Sequence, residues 1–235
     1  MADSGRWEEA QQYEKAWWQG VEKKIKPGFY EHYARKLESE LQGILAIQCG
    51  TRILEVGSGA AGIVTFLESD HKYAVDPLEE YYGSVPAFTT ARDPRVRYAA
   101  ARGEELPFDK DSFDLVITDN VLDHCESPQQ VVSEMHRVLA PGGILYLRLN
   151  VYHAWGRMVR QLAELAHIDK GHPHTFTSRS LRRLLTTKGL ELVSFSESGY
   201  WPTWRTELTS GSRKDLLKAM TFATRNKTTY ILRKA

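Results

Sequence analysis

Cysteine is scarce in this chain: Cys49 and Cys125 are the two in 235 residues, far apart and without metal-ligand spacing. That excludes a disulfide framework and a cysteine-built zinc site, and it suits a reducing compartment. No apolar run approaches the ~20 residues that a membrane-spanning helix needs. The opening residues, Met-Ala-Asp-Ser-Gly-Arg-Trp-Glu-Glu, lack the positive start and apolar stretch of a secretory leader, so the expected location is cytoplasmic. Internal repeats and low-complexity linkers are missing as well. So is an excess of charge of one sign: 31 Lys and Arg stand against 30 Asp and Glu, a formal net charge of +1. This balance argues against a nucleic-acid binder that relies on overall charge.

What is present is enough apolar material for one sizeable α/β domain, 42% of the residues. The charge is unevenly spread. Residues 1–50 carry net −1, residues 51–150 net −7 and residues 151–235 net +9. A basic last third either faces an anionic substrate or surface, or consists of solvated helix faces.

Periodicity divides the chain. A helix is predicted over 7–20, carrying Trp7, Tyr13, Trp17 and Trp18. After the break at Lys26-Pro27-Gly28, residues 29–47 place Phe29, Tyr33, Leu37, Leu41, Ile44 and Leu45 on one helix face. Short apolar strands are predicted at 51–56, 72–75, 95–99, 113–118 and 143–150, with helices between them, clearest at 60–68 and 128–139. Such alternation implies a mostly parallel sheet covered on both faces. Pro141-Gly142-Gly143 is expected to end the second of those helices and start the fifth strand. Beyond it, helices are expected at 154–167, 178–187 and near 214–222. Strands are expected at 190–198 and Thr228 to Arg233, the latter two as an antiparallel pair. The division predicted is a helical cap over 1–48 and a main domain over 49–235, with a helical insert near 151–188 on the substrate side.

Chemistry concentrates after the first strand. Arg52-Ile-Leu-Glu-Val-Gly-Ser-Gly-Ala-Ala-Gly62 reads as a buried strand running into a turn with Gly57, Gly59 and Gly62. Glycines so spaced let the backbone turn tightly and come close to a bound nucleoside cofactor. Glu55 lies inside the apolar strand and must be paired there, and a purely capping role for it is disfavoured. Asp76, nineteen residues after Gly57 at the end of the second strand, can accept hydrogen bonds from both hydroxyls of a ribose.

The ordered set of motifs resembles the class I S-adenosylmethionine-dependent methyltransferases, especially the small-molecule branch often called type 11. The set comprises Ile-Leu-Glu-Val-Gly-Ser-Gly at 53–59, Ala-Val-Asp at 74–76 and Gly-Glu-Glu-Leu-Pro-Phe at 103–108. It continues with Ser-Phe-Asp-Leu-Val at 112–116, Asn-Val-Leu-Asp-His at 120–124 and Glu-Met-His-Arg-Val-Leu-Ala-Pro-Gly-Gly at 134–143. Nicotinamide-dependent oxidoreductases share the glycine turn and the ribose acid but not this set.

The resemblance implies a Rossmann-like, mostly parallel seven-stranded sheet with an antiparallel last strand, and N-terminal helices as a lid. It implies S-adenosylmethionine as cofactor, S-adenosylhomocysteine as product and a small-molecule acceptor, anionic or sugar-like, with nucleic acid disfavoured. Glu55 would then organise the methionine end, beside Gly57, Ser58 and Gly59. Asp76 would hold the ribose, Gly103 and Glu104 would border the adenine, and Asp119 and Asn120 would line the site near the methyl group. Many relatives carry an acid just before position 103. Arg102 stands there instead, so either Glu104 or backbone groups alone would hold the adenine amino group.

For a nucleophile that carries a proton, the candidate bases are His124, Asp123, His172 and His174. The segment Gly171-His-Pro-His-Thr-Phe-Thr177 resembles one found over the substrate side in type 11 relatives. It makes His172 and His174 substrate-pocket candidates, and H-x-H alone is too little for a metal site. Tyr13 and Trp17, Arg148 and Tyr152 complete the expected substrate wall, with Arg157 and Arg160 as further anion-binding candidates. The competing readings are a catalytically silent cofactor-binding module and an RNA- or polysaccharide-modifying methyltransferase.

Overall fold

The computed structural model describes residues 4–22, 28–165, 173–186 and 189–235. In chain order the elements are α1 (Ser4–Val21), α2 (Gly28–Leu41), β1 (Arg52–Val56), a 3-10 turn (Ile63–Phe66) and β2 (His71–Asp76). The short helices α3 (Glu79–Gly83) and α4 (Pro86–Thr89) precede β3 (Val96–Ala100) and β4 (Phe113–Asp119). Then come α5 (Pro128–Val138), β5 (Leu139–Tyr152), α6 (Ala154–Leu165), α7 (Ser178–Thr186), β6 (Leu190–Glu197), α8 (Tyr200–Thr209), α9 (Arg213–Met220) and β7 (Arg225–Lys234).

The seven strands form one sheet in the order β3-β2-β1-β4-β5-β7-β6. The first five run parallel, β1 pairing Val56 with Val75 of β2 and with Thr118 of β4. β7 is antiparallel to both of its neighbours, so it lies inside the sheet and β6 forms the edge. The expected antiparallel pair at the end of the chain is therefore present, with β7 as its inner member.

Alternation along each strand builds a core on either face. Leu54, Val56, Val116, Leu145 and Leu147 face one way, with Val131, Val132, Met135 and Val138 of α5 and Leu181 and Leu185 of α7 packed onto them. Ile53, Leu115, Ile117, Ile144 and Tyr146 face the other way, where Ala34, Leu37 and Leu41 of α2 join them. Leu37 and Leu41 are wholly buried, and each such burial is worth about 1.5–3 kcal/mol. Thus α2 is part of the core, whereas α1, with Ala10 as its one buried apolar residue among the described side chains, sits outside it. α5 starts where the Ser127 side chain accepts from the Gln130 N–H and Pro128 occupies the first turn.

Three local expectations are corrected. The helix predicted over 60–68 is a single 3-10 turn at Ile63–Phe66, because Gly62, at φ 78°, interrupts it and Glu55 seizes its first N–H groups. Pro141-Gly142-Gly143 lies within β5 as an irregularity, where the pairing with β4 jumps from Phe113↔Leu139 to Leu115↔Ile144. Helix α8 stands where no helix was expected; its Trp204 is tied by its ring N–H to the Ala219 carbonyl of α9 at 2.9 Å.

Candidate active site

A cavity of about 280 Å³ opens at the carboxyl ends of β1, β2 and β4, with α1 across it. Its floor is the glycine turn. Gly57 sits at φ 75°, and a Cβ there would lie 2.1 Å from Val121 Cγ2, so only glycine lets the β1 and β4 loops meet this closely. Gly62 serves another neighbour: a Cβ on it would lie 2.6 Å from Glu55 Oε2.

Glu55 is buried and faces the cavity. Its Oε1 accepts from the Ile63 N–H at 3.1 Å and its Oε2 from the Val64 N–H at 2.8 Å. The capping role disfavoured from sequence is therefore the one its hydrogen bonds perform. Burial pushes this carboxyl up to about 8, with the two backbone bonds working against that rise. Asp76 is arranged alike: Oδ2 accepts from the Gly59 N–H and Oδ1 from the Leu78 N–H, each at 2.9 Å. Burial raises it to about 7. Each of its oxygens keeps accepting capacity on the cavity side.

Asp119 and Asn120 also line the cavity. Asn120 takes a left-handed φ of 55°, donates to Asp119 Oδ1 at 2.8 Å and accepts from the Asn150 side chain at 2.7 Å. Burial raises the Asp119 carboxyl, and the nearby Arg148 charge opposes the rise. Gly103 borders the cavity with Ala101, in contact range of Val131 for any added Cβ. Glu104 lines it too, but Oε1 already accepts from the Glu126 and Ser127 N–H groups at 2.8 and 3.1 Å. Arg102 pairs with Glu126 and lies over the Trp7 ring at 4.1 Å. Trp7, Arg102 and Glu126 thus form a connected group beside Glu104.

Of the candidate bases, His124 lines the cavity, with Nδ1 3.5 Å from Glu14 Oε2 of α1 and Nε2 3.9 Å from Asp123 Oδ1. Asp123 is buried behind it and its carbonyl accepts from the His174 N–H. His174 is not in this cavity. It lines a separate recess with Arg157 and Phe176, its Nε2 3.2 Å from the Glu126 carbonyl oxygen. His172 lies outside the described residues.

Three substrate candidates also stand apart. Arg148 is buried, bonded to Asp119 Oδ2 at 3.0 Å and set over the Tyr33 ring at 4.2 Å, so it positions Asp119. Tyr152 is buried and accepts from Arg160 at 2.7 Å. Tyr13 lies on the exposed face of α1, away from the cavity, whereas Trp17 lines it. Sequence reasoning did not assign Glu14, Tyr33 or Val121 to the site. Of these, Glu14 carried a readable signal, being three residues before Trp17 and four before Trp18 on one predicted helix.

The lining contains Glu14, Glu55, Asp76, Glu104 and Asp119, with His124, and among the described residues it holds no Lys or Arg. Those residues offer no cation to the anionic acceptor expected from the basic last third. The aromatic part comprises Trp7, Trp17, Trp18, Tyr30 and Tyr33. Trp18 anchors α1, meeting Tyr82 and Phe88 edge-on at 5.3 and 5.7 Å.

Comparison with known proteins agrees with this architecture. Residues 54–147 match a family model described as a methyltransferase domain. A methyltransferase of Mycobacterium tuberculosis, named as uncharacterized, is 37% identical over 106 residues, 44% of this chain and 41% of that protein. A counterpart from Mycobacterium leprae is 33% identical over the same length. The chain thus spans about two fifths of the length of the curated relatives it matches. The geranyl diphosphate C-methyltransferase of Streptomyces coelicolor A3(2), solved with S-adenosylhomocysteine, has a TM-score of 0.66 at 15% identity, over 86% of this chain and 79% of that one. The [4+2]-cyclase SpnF has a TM-score of 0.58 at 15% identity, over 85% and 80%.

The fold is that of the Rossmann-like class I methyltransferases. Residues 54–147, which match the methyltransferase-domain model, hold the glycine turn, Asp76 and Asp119.

Proposed function

We propose that this protein transfers a methyl group from S-adenosylmethionine to a small acceptor, uncharged or cationic, held between the domain and α1. The observation that carries the reading is the cavity itself: two buried carboxyls, Glu55 and Asp76, beside a glycine turn and under an aromatic lid. The residues present suit the cofactor. Asp76 presents free accepting capacity to vicinal hydroxyls, the small residues Ala101 and Gly103 border the cavity where a base can lie, and the acidic lining favours a ligand with cationic groups. The cofactor supplies an activated methyl group on a sulfonium, so the protein's task is alignment and exclusion of water.

Asp76 binds the ribose, Asp119, held by Arg148 and Asn120, serves the methionine end, and Trp17 and Tyr33 form the acceptor side. His124 removes the acceptor's proton where the nucleophile carries one, with Glu14 oriented toward its Nδ1. In this reading the cap expected over 1–48 narrows to α1, the moving piece, because α2 packs into the core of the main domain.

Calorimetric titration with S-adenosylhomocysteine tests it. Binding is expected, and Asp76→Asn should weaken it by about 1.5–3 kcal/mol, the value of hydrogen bonds to a charged acceptor. Binding of NAD in place of S-adenosylhomocysteine overturns the reading, and unchanged affinity in Asp76→Asn removes the ribose assignment.

A further inference from the structure

Most of the large apolar side chains that the described residues leave in solvent lie between 155 and 222. Trp155, Leu162, Trp201, Leu217, Met220 and Phe222 are each more than half exposed. They come from α6, α8, α9 and the turn after α9, and contacts link these elements in space. The Trp155 ring N–H donates to the Thr221 carbonyl at 2.9 Å, fixing α6 to the end of α9. Phe222 lies parallel to Trp204, the ring centroids 6.3 Å apart, and Trp204 meets Trp201 edge-on at 5.9 Å. On α6, Trp155 and Leu162 are seven residues apart and share a stripe with Met158, also exposed, while Gly156 on the opposite side is buried against Ala223. This helix therefore presents its apolar stripe outward, the reverse of an ordinary surface helix. A contiguous patch of this kind marks an interaction surface.

The charge around the patch indicates what covers it. Residues 151–235 carry 15 Lys and Arg against 6 Asp and Glu. Arg205 is exposed on α8 four residues after Trp201, Arg213 is exposed on α9 four residues before Leu217, and Glu207 of α8 is buried away from solvent. Two copies joined through this face about a two-fold axis would bring like charges together. A nucleic acid would match the arginines but leave Leu162, Leu217 and Met220 without a partner. Aromatic and aliphatic side chains flanked by Arg205 and Arg213 fit the interface of an anionic bilayer, where the rings and aliphatics enter the headgroup boundary and the arginines meet lipid phosphates. We infer that α6, α8 and α9 form a peripheral docking surface for an anionic lipid membrane. Among the described residues no helix is long and apolar enough to cross a bilayer, so the association is with one leaflet. Tyr152 at the end of β5 pairs with Arg225 at the start of β7, which places the patch at the same end of the sheet as the cavity.

Vesicle co-sedimentation of the full chain tests the inference. Vesicles of phosphatidylcholine alone are compared with vesicles of three parts phosphatidylcholine to one part phosphatidylglycerol. Partition onto the anionic vesicles is expected, weaker at high salt, with little onto the neutral ones. Leu217→Ser with Met220→Ser should lower that partition about tenfold, and Arg205→Glu with Arg213→Glu by about as much or more. Both double variants change exposed residues remote from the cavity, so S-adenosylhomocysteine affinity and melting temperature should stay at parental values. Brominated lipid should quench tryptophan emission in the parent and quench it less in Trp201→Phe. Absence of partition onto either vesicle overturns the inference. So does a dimer that the Leu217 and Met220 changes dissolve without any vesicle binding, or retention on RNA with none on lipid.

Discussion

At the scale of single residues, the glycine turn divides its labour in a way that its spacing does not reveal. Gly57 clears Val121, and Gly62 clears the carboxylate of Glu55. Gly62→Ala should therefore cost about 3 kcal/mol or more, combining a left-handed backbone with an overlap on Glu55. Gly142→Ala provides the contrast. Its φ is 75° but nothing lies within 4 Å of the added methyl, so only the backbone cost of about 1–2 kcal/mol applies. Chemical denaturation of both variants checks the difference; equal losses would deny the contact with Glu55 its role. The turn was legible because glycine and a buried acid are rare within apolar runs. What Glu55 bonds was not, because the N–H groups it caps lie eight and nine residues downstream, in a segment that periodicity read as a regular helix.

Between residue and molecule, α1 is the element that depends on one side chain. Apart from Ala10 it buries no apolar residue fully, and Trp18 against Tyr82 and Phe88 is its main anchor. Trp18→Ala should remove about 3 kcal/mol, mostly from local docking of this helix. The expected signs are faster amide exchange across 5–21 and faster release of S-adenosylhomocysteine in stopped flow, with exchange in β1 and β4 unchanged. Uniform loss of protection across the sheet would show that α1 is integral to the global fold. All seven strands were readable, the parallel ones because strands covered on both faces appear as short apolar runs bounded by turns. The strand order was not, since order is set by which helices cover which face. Nor was α8, whose Gly199 and Pro202 are poor helix formers and whose aromatics find partners distant in sequence, Tyr200 at His153 and Trp204 at Ala219 and Phe222. The reach of Arg148 inward to Asp119 and of His174 into a second recess depends on side-chain direction at strand and loop ends, which a linear pattern does not contain.

Over the whole molecule, titration should shape stability from two sides. Glu55 and Asp76 have ordinary values of 4.5 and 3.8 and are raised by burial to about 8 and about 7. Between these limits the native state holds more protons than the unfolded chain, so stability falls as pH rises from 5 to 8. Asp93 behaves oppositely. Its bonds from Arg95 and Lys72 hold it well below its ordinary 3.8, so the stability it contributes is present above that value and is lost in stronger acid. The melting temperature of the cofactor-free protein should accordingly peak near pH 5, and Glu55→Gln should flatten the limb toward pH 8. Ligand binding opposes the same burial. Hydroxyl donors at Asp76 and cationic groups near Glu55 favour the charged carboxylates, so S-adenosylmethionine binding near pH 7 should release about one proton. Calorimetry in buffers of different ionisation enthalpy measures it, and an enthalpy independent of buffer would contradict the placement of the ligand beside these acids.

The sheet is also completed out of chain order. β6 attaches only through β7, a strand made some thirty residues later that inserts between β5 and β6. During synthesis, β5 is left with an open, apolar edge and β6 with no paired strand until Arg225–Lys234 emerges. A nascent chain paused in α8 or α9 is therefore a species with two unsatisfied edges, prone to pair with another copy of itself. Its yield in cells should depend on how fast the ribosome crosses that stretch.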